Sequence, residues 1–445
     1  MQINCEKFVY LQIFLYLCSR KIINLLSRIW KSSSARNVGK LLSANVFAQV
    51  LGILVYPILT RMYAPEDFGV FSLFTSIGSV LILIASLDWF NAIVLPKTDE
   101  AARPVVQISL LTTFGLTLLL FLSVPFAKPI ADIFKSPDLA GYYWLLPVYV
   151  MLMSLWNILN YWYIRRKEYG RISGYQISQS LFSTVYKAGF GWLGVLRGGL
   201  IYSSVLSPLC SLVLSLSRMK KAHIQPLLHW NWSECKSAAK TYSNFPKYSL
   251  PHSLINNLAG QMPVLLLTPF FSSREVGFWS MALLLSYAPI SIITRALYQV
   301  LYRNVTELVH EHLPIAYIFR RLTKATLLIT IPLFCVLWFV LPWLTEWFLG
   351  AEWRVVGEYI RWLLPWLVCN VLFTTTNFLF DVFGKQKAEL FFEVLLAVLR
   401  IGGLLVGIGF HSFEMSIIWY AVGSAIGNII SFLWMMRLVH RYENA

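Results

Sequence analysis

Three basic residues, Lys187, Arg295 and Arg400, stand inside long apolar stretches of the chain. A lone charge at the centre of a lipid-buried helix costs about 2.5–3.5 kcal/mol, so each needs a chemical reason to be there. Carboxylates that could neutralise them are few. Asp88 is the one expected at comparable depth, one step from the counterpart of Arg295 in an internal repeat, and such a pair would lock the two repeats together. Glu389, Glu393 and Arg400 follow i, i+4 and i+11, which places them on one helical face with Arg400 deepest. Amides add a second pattern. Asn45 and Gln49 are one turn apart, as are Asn257 and Gln261, while Asn377 follows Asn370 and Thr374 on another stretch. Such amides serve either as glue between helices, worth under about 1–2 kcal/mol each, or as the lining of a wet cavity. The deep cations outnumber the deep acids, so a central polar cavity holding an anion is the favoured reading.

No nucleophile elbow, HExxH pair, phosphate-cradling loop or glycine-rich dinucleotide turn occurs in the sequence. No cofactor and no metal are expected, and the chain is not read as an enzyme. Without a phosphate-cradling loop it is not its own ATPase, so driving energy must come from ion gradients, the membrane potential or the substrate's downhill path. The six cysteines, at 5, 18, 210, 235, 335 and 369, have no paired spacing and read as small apolar residues.

The elements that must position these groups are helices in a membrane. Mean hydropathy is +0.63, with 57% hydrophobic and 13% charged residues. Apolar runs of about 20 residues recur along the chain, the length a helix needs to cross roughly 30 Å of hydrocarbon. The expected spans lie near 43–60, 68–95, 107–127, 141–163, 175–197, 200–218, 250–271, 276–300, 322–344, 358–380, 388–410 and 415–437. This describes an all-α polytopic membrane protein of about twelve transmembrane helices. The net charge of +16 is distributed by topology: roughly 27 of the 37 Lys and Arg fall in segments assigned to the cytoplasm, so both termini are expected there. Nucleic acid is therefore not an expected partner.

The turn LTRMYAPEDFGVFSL, residues 59–73, closes one apolar run and opens the next, with Asp67 expected to cap a helix beginning at Phe68. A related turn, LTPFFSSREVGFWSM, returns 208 residues later at 267–281, with Leu59, Thr60, Gly69 and Ser72 falling on Leu267, Thr268, Gly277 and Ser280. The plan is thus two pseudo-symmetric six-helix lobes around a central cavity. Residues 1–40 form a basic amphipathic segment, 41–218 the N-lobe, 219–249 a cytoplasmic linker, 250–437 the C-lobe and 438–445 a cytoplasmic tail.

The stretch YPILTRMYAPEDFGVFSLF, followed by a span ending AIVLPKTDEAA, resembles the start of bacterial O-antigen and polysaccharide flippases of the Wzx type, in the multidrug/oligosaccharidyl-lipid/polysaccharide exporter superfamily. The resemblance covers residues 40–440 through helix count and duplicated plan. It implies a flippase that moves undecaprenyl-pyrophosphate-linked repeat units from the inner to the outer leaflet of the bacterial cytoplasmic (inner) membrane, by alternating access. Lys187, Arg295 and Arg400 would hold the pyrophosphate, and a polysaccharide polymerase and a chain-length regulator join membrane lipids as expected partners. Two alternatives remain open. One is an ion-coupled small-molecule exporter using Asp88; the other is a membrane glycan polymerase, which the short external loops disfavour.

Overall fold

The computed structural model describes residues 33–219, 230–310 and 314–443, so most of the expected amphipathic segment lies outside the described residues. Every regular element described is helical. Six long helices come first: α1 Ser33–Leu59, α2 Pro65–Ser86, α3 Asp99–Leu122, α4 Leu145–Arg165, α5 Tyr169–Trp192 and α6 Leu196–Ser217. Six more follow: α7 Leu250–Leu267, α8 Ser273–His310, α9 Ala316–Leu349, α10 Arg354–Thr374, α11 Gln386–Gly409 and α12 Phe413–Glu443. Among the described residues, 8 helical stretches are long and apolar enough to cross a membrane. Of the other four long helices, α5 and α7 fall below that standard because of Ser173, Gln176, Gln179 and Lys187 in one and His252, Asn256, Asn257 and Gln261 in the other. The chain is an integral, multi-pass membrane protein.

The two sets of six pack by the same plan. In the first, α1 lies on α5, α5 on α6, α3 on α4 and α4 on both α2 and α6. In the second, α7 lies on α11, α11 on α12, α9 on α10 and α10 on both α8 and α12. The sets meet mainly along α2, which packs against α7 and α8. One end of the bundle carries the α1–α2 and α7–α8 turns (the turn end), and the other carries the 218–249 connection (the linker end).

Several boundaries differ from the sequence expectation, each for a local reason. Helix α2 starts at Pro65, whose missing N–H costs nothing at a first helical position, and Asp67 is its third residue. The Asp67 carboxylate reaches back to accept from the Ala64 N–H at 3.0 Å. The α8 start repeats this device: the Ser272 N–H donates to Glu275 at 2.9 Å, 208 residues further on. Helix α2 also ends at Ser86, not near 95, because Leu87 and Asp88 both take the left-handed conformation (φ 47° and 60°) and a 3₁₀ turn, Trp89–Val94, follows. The expected linker loop contains a helix, Trp232–Thr241, docked on α3 through buried Cys235.

At the turn end α2 and α8 cross at backbone contact. A Cβ added to Gly69 would fall on the Ser273 carbonyl, and one added to Gly277 would fall on the Pro65 carbonyl, so only glycine fits either place. Ser280 Oγ donates to Ser72 Oγ at 2.6 Å between them. Above this crossing, Trp353 is buried with Phe68 and Phe278 edge-on at 5.1 and 5.5 Å, and its indole N–H donates to the Thr60 carbonyl at 3.1 Å. At the exposed rim Arg274 pairs with Glu352 at 2.7 Å and Glu66 at 3.3 Å.

Candidate functional site

Lys187 lies about one and a half turns, or roughly 7–8 Å, from the end of α5. The sequence expectation put it mid-span. The shift arises because α5 begins early, at Tyr169, and stops at Trp192, ahead of Gly194 in the left-handed region at φ 75°. Its ammonium sits 5.3 Å from the centre of the Phe71 ring on α2, within cation–π range. The Tyr63 hydroxyl donates to the Lys187 carbonyl at 2.7 Å, tying this part of α5 to the α1–α2 turn. Lys187 also lines a recess of ≈ 70 Å³ between α1 and α5, with Gly52, Tyr56, Ser180, Ser183 and Thr184. Among the described residues it has no ion-pair partner.

Arg400 lies in the middle of α11 and faces a different environment. Its guanidinium stacks 5.5 Å from the Trp366 ring and 5.7 Å from the Tyr420 ring, and its Nε donates to Ser424 Oγ at 3.1 Å. Tyr287 of α8 packs edge-on against Trp366 at 5.5 Å. No carboxylate pairs with Arg400 among the described residues. Lys187 thus meets α1 and α2, whereas Arg400 meets α10 and α12, and the two cations occupy separate six-helix sets. Arg295 lies in α8, but its side chain falls outside the described residues.

Asp88 is fully buried at the linker end of α2, not at mid-depth beside the cations. Its Oδ1 accepts from Asn91 Nδ2 at 2.8 Å, and its Oδ2 accepts from the Ser249 and Ser253 hydroxyls at the start of α7. These bonds hold two consecutive non-glycine residues in left-handed backbone, which costs about 1–2 kcal/mol per residue. Aspartate is among the residues that tolerate it best.

The amides reach across between the two sets. Gln49 on α1 donates to Ser291 Oγ at 3.0 Å and the Ala288 carbonyl at 3.2 Å on α8. Gln261 and Asn257 on α7 accept from Ser76 and Ser79 on α2 at 2.9 and 3.2 Å. Asn45 is half-buried one turn before Gln49. Asn377 stands at the break after α10, with its Oδ1 buried and unpartnered among the described residues. Glu389 and Glu393 are half-buried on the first two turns of α11, toward the linker end. The serines that receive or complete these bonds (Ser76, Ser79 and Ser291) were missed in the sequence because hydroxyls within apolar helices carry no distinctive spacing.

Residues 58–358 match the family model described as polysaccharide biosynthesis protein. The chain belongs to that family. A relative, the succinoglycan biosynthesis transport protein ExoT of Rhizobium meliloti (strain 1021), is 21% identical over 410 residues, covering 90% of this chain and 79% of the relative. Among solved structures, an inward-facing multidrug resistance MATE family transporter of the MOP superfamily aligns with a TM-score of 0.72 at 16% identity, over 89% of this chain and 96% of that one. The lipid II flippase MurJ, in an inward closed conformation, aligns with a TM-score of 0.63 at 13% identity, over 90% of each chain. The family is thus one of polysaccharide biosynthesis proteins, and the fold is one shared with membrane transporters.

Proposed function

We propose that this polysaccharide biosynthesis protein is a flippase, which carries undecaprenyl-pyrophosphate-linked repeat units from the inner to the outer leaflet of the bacterial cytoplasmic membrane. The observation that carries the reading is the pair of cations, Lys187 and Arg400, without a carboxylate partner among the described residues and held within helices of both six-helix sets. A buried cation without a carboxylate is costly unless its occupant is an anion. The physics of the cargo agrees. Each glycan hydroxyl dragged unpaired into hydrocarbon would cost about 4–8 kcal/mol, so a sugar headgroup needs a polar path while its polyprenyl tail stays in lipid.

The linker end, where Arg165, Arg166 and Arg171 gather, is assigned to the cytoplasm by its basic charge, and both termini with it. The turn end then faces outward, and the α2–α8 crossing closes it in the state described here. Alternating access follows if the two sets rock about α2, α7 and α8, opening that crossing and closing the linker end. An inside-negative potential favours an anion leaving by about 2.3 kcal/mol per charge per 100 mV. Units delivered outside would pass to a polysaccharide polymerase working with a chain-length regulator.

The experiment is gene deletion with complementation, reading surface polysaccharide and the sidedness of lipid-linked repeat units. Units trapped on the inner leaflet with polymer lost are expected. Units reaching the outer leaflet unpolymerised would overturn the reading in favour of a polymerase. Intact polymer with altered drug tolerance would favour the small-molecule exporter.

A further inference from the structure

Hydroxyls on membrane helices usually donate to the carbonyl one turn back, since no water competes for them. In this chain Thr60, Ser109, Thr268, Ser286, Thr330 and Thr345 all do so. Ser183 and Thr184 do not, and unlike the unpartnered hydroxyls of Thr113, Thr117, Ser154 and Ser211, theirs are not buried. Neither makes a hydrogen bond among the described residues, and neither hydroxyl is sealed off in the protein interior. Both stand three or four positions before Lys187, on the same face of α5. All three line the ≈ 70 Å³ recess against α1, where Gly52 presents no side chain and nothing lies within 4 Å of where its Cβ would be. Roughly 10–15 Å³ of such space seats one water, so the recess has room for a group of about five heavy atoms, the size of a phosphoryl.

The chemistry of the lining is one-sided. Lysine offers three donors and no acceptor, and two hydroxyls beside it are free to turn their protons inward. No carboxylate lines the recess. A small tetrahedral oxyanion satisfies all of these groups at once, with lysine supplying charge and the hydroxyls supplying direction. Arg400 is a different kind of seat, since its guanidinium face stacks on Trp366 and Tyr420 and its Nε bonds Ser424, leaving only its terminal N–H groups for an anion.

We propose that the recess between α1 and α5 is a phosphoryl-binding site, in which Lys187, Ser183 and Thr184 hold one phosphoryl group of an isoprenyl pyrophosphate headgroup. This rests on the flippase reading for the lipid attached to the phosphate; the site itself follows from the donors. Its Lys187 lies one and a half turns from the end of α5, beside Phe71, two residues along α2 from the Gly69 contact.

The test is binding of farnesyl pyrophosphate, farnesol and inorganic pyrophosphate to the purified full-length protein in lipid nanodiscs. S183A/T184V is expected to weaken farnesyl pyrophosphate binding about 10–100-fold, through two lost bonds to a charged group. It should leave farnesol binding and the melting temperature unchanged. S183T/T184S, which keeps both hydroxyls, should retain wild-type affinity, and this control separates lost donors from a disturbed helix. Unchanged farnesyl pyrophosphate affinity in S183A/T184V overturns the proposal. Inorganic pyrophosphate that competes and shows the same sensitivity supports the phosphoryl chemistry; binding of inorganic pyrophosphate alone overturns the lipid as its source. The two readings fail separately. Normal surface polymer in cells carrying S183A/T184V sinks the recess and leaves the flippase standing, whereas normal polymer after gene deletion sinks the flippase and leaves the binding result intact.

Discussion

Ser72 and Ser280 are 208 residues apart in the chain and share a hydrogen bond of 2.6 Å. The same interval relates Glu66 to Arg274, which are also paired, and Pro65 to Ser273, each in contact with the other set's glycine. Residues equivalent by repeat therefore meet one another, as they do across the axis of a two-fold dimer. The turn end is closed by one patch used twice.

A disulfide at this axis should lock it. In a background lacking the native cysteines, S72C/S280C treated with oxidant is expected to abolish flux of lipid-linked units into the outer leaflet, and reductant should restore it. Each single variant should transport normally under both conditions. Full transport by the oxidised double variant would show that the crossing does not open.

Side-chain atoms at the two glycines should act in the opposite direction. G69A or G277A places a Cβ on a backbone carbonyl of the facing helix, and overpacking of this kind costs about 1–3 kcal/mol. The closed turn end is destabilised by that amount, so a cysteine at the rim should react about 5–150-fold faster with a membrane-impermeant maleimide. G52A, where nothing lies within 4 Å, serves as the control and should not change the labelling rate.

Arg400 should be sensitive to shape as well as charge. Its planar guanidinium stacks on Trp366 and Tyr420 while Nε bonds Ser424, a geometry that lysine does not reproduce. R400K is expected to lower the detergent melting temperature, reflecting about 0.5–2 kcal/mol of lost stacking. K187R, at a site with room beside it, should not. Equal melting temperatures for both variants would contradict this division.

Asp88 should tolerate asparagine better than alanine. D88N keeps an acceptor and a residue suited to left-handed backbone, whereas D88A leaves Asn91, Ser249 and Ser253 without their shared partner. A loss of about 1–3 kcal/mol is expected for D88A, read as earlier thermal unfolding in nanodiscs.

Cys235 should report docking of the linker helix. Burial against α3, with Glu234 adjacent, holds its thiol above the ordinary cysteine range, so less thiolate is present at a given pH. Alkylation of a variant with Cys235 as its sole cysteine should be slow near pH 7 and accelerate as pH rises. L87A or W89A, which thins the apolar bed under this helix, should increase the rate at neutral pH.

Much of the architecture was legible because hydropathy and the repeat are one-dimensional signals. Gly69, Gly277, Ser72 and Ser280 stood out by the 208-residue shift, yet nothing in the sequence said that equivalent residues would touch. That depends on how two sets of helices dock. The end of α2 was misjudged because WFNAIV reads as a continuation of the apolar run, while the left-handed turn at Leu87 and Asp88 is held by serines more than 160 residues away. The depth of Lys187 was misjudged for a related reason, since hydropathy underestimates where a serine-rich helix such as α5 begins. Ser183 and Thr184 were invisible because what sets them apart, hydroxyls open to a recess beside Lys187, exists only once α1 and α5 have packed.

Six is an even number, and this has a consequence for how the molecule can work. If each set crosses the bilayer six times, the two sets enter it the same way up and their pseudo-symmetry axis runs along the membrane normal. In inverted-repeat transporters the axis lies in the membrane plane, and the inward and outward states interconvert when the halves exchange conformations. That degeneracy does not exist here. The two faces are chemically unrelated, one sealed by paired glycines and serines, the other carrying a buried carboxylate, Asp88, bonded to serines at the start of α7. Each state has its own independently adjustable free energy, so the resting bias of the cycle can be tuned from either face without disturbing the other.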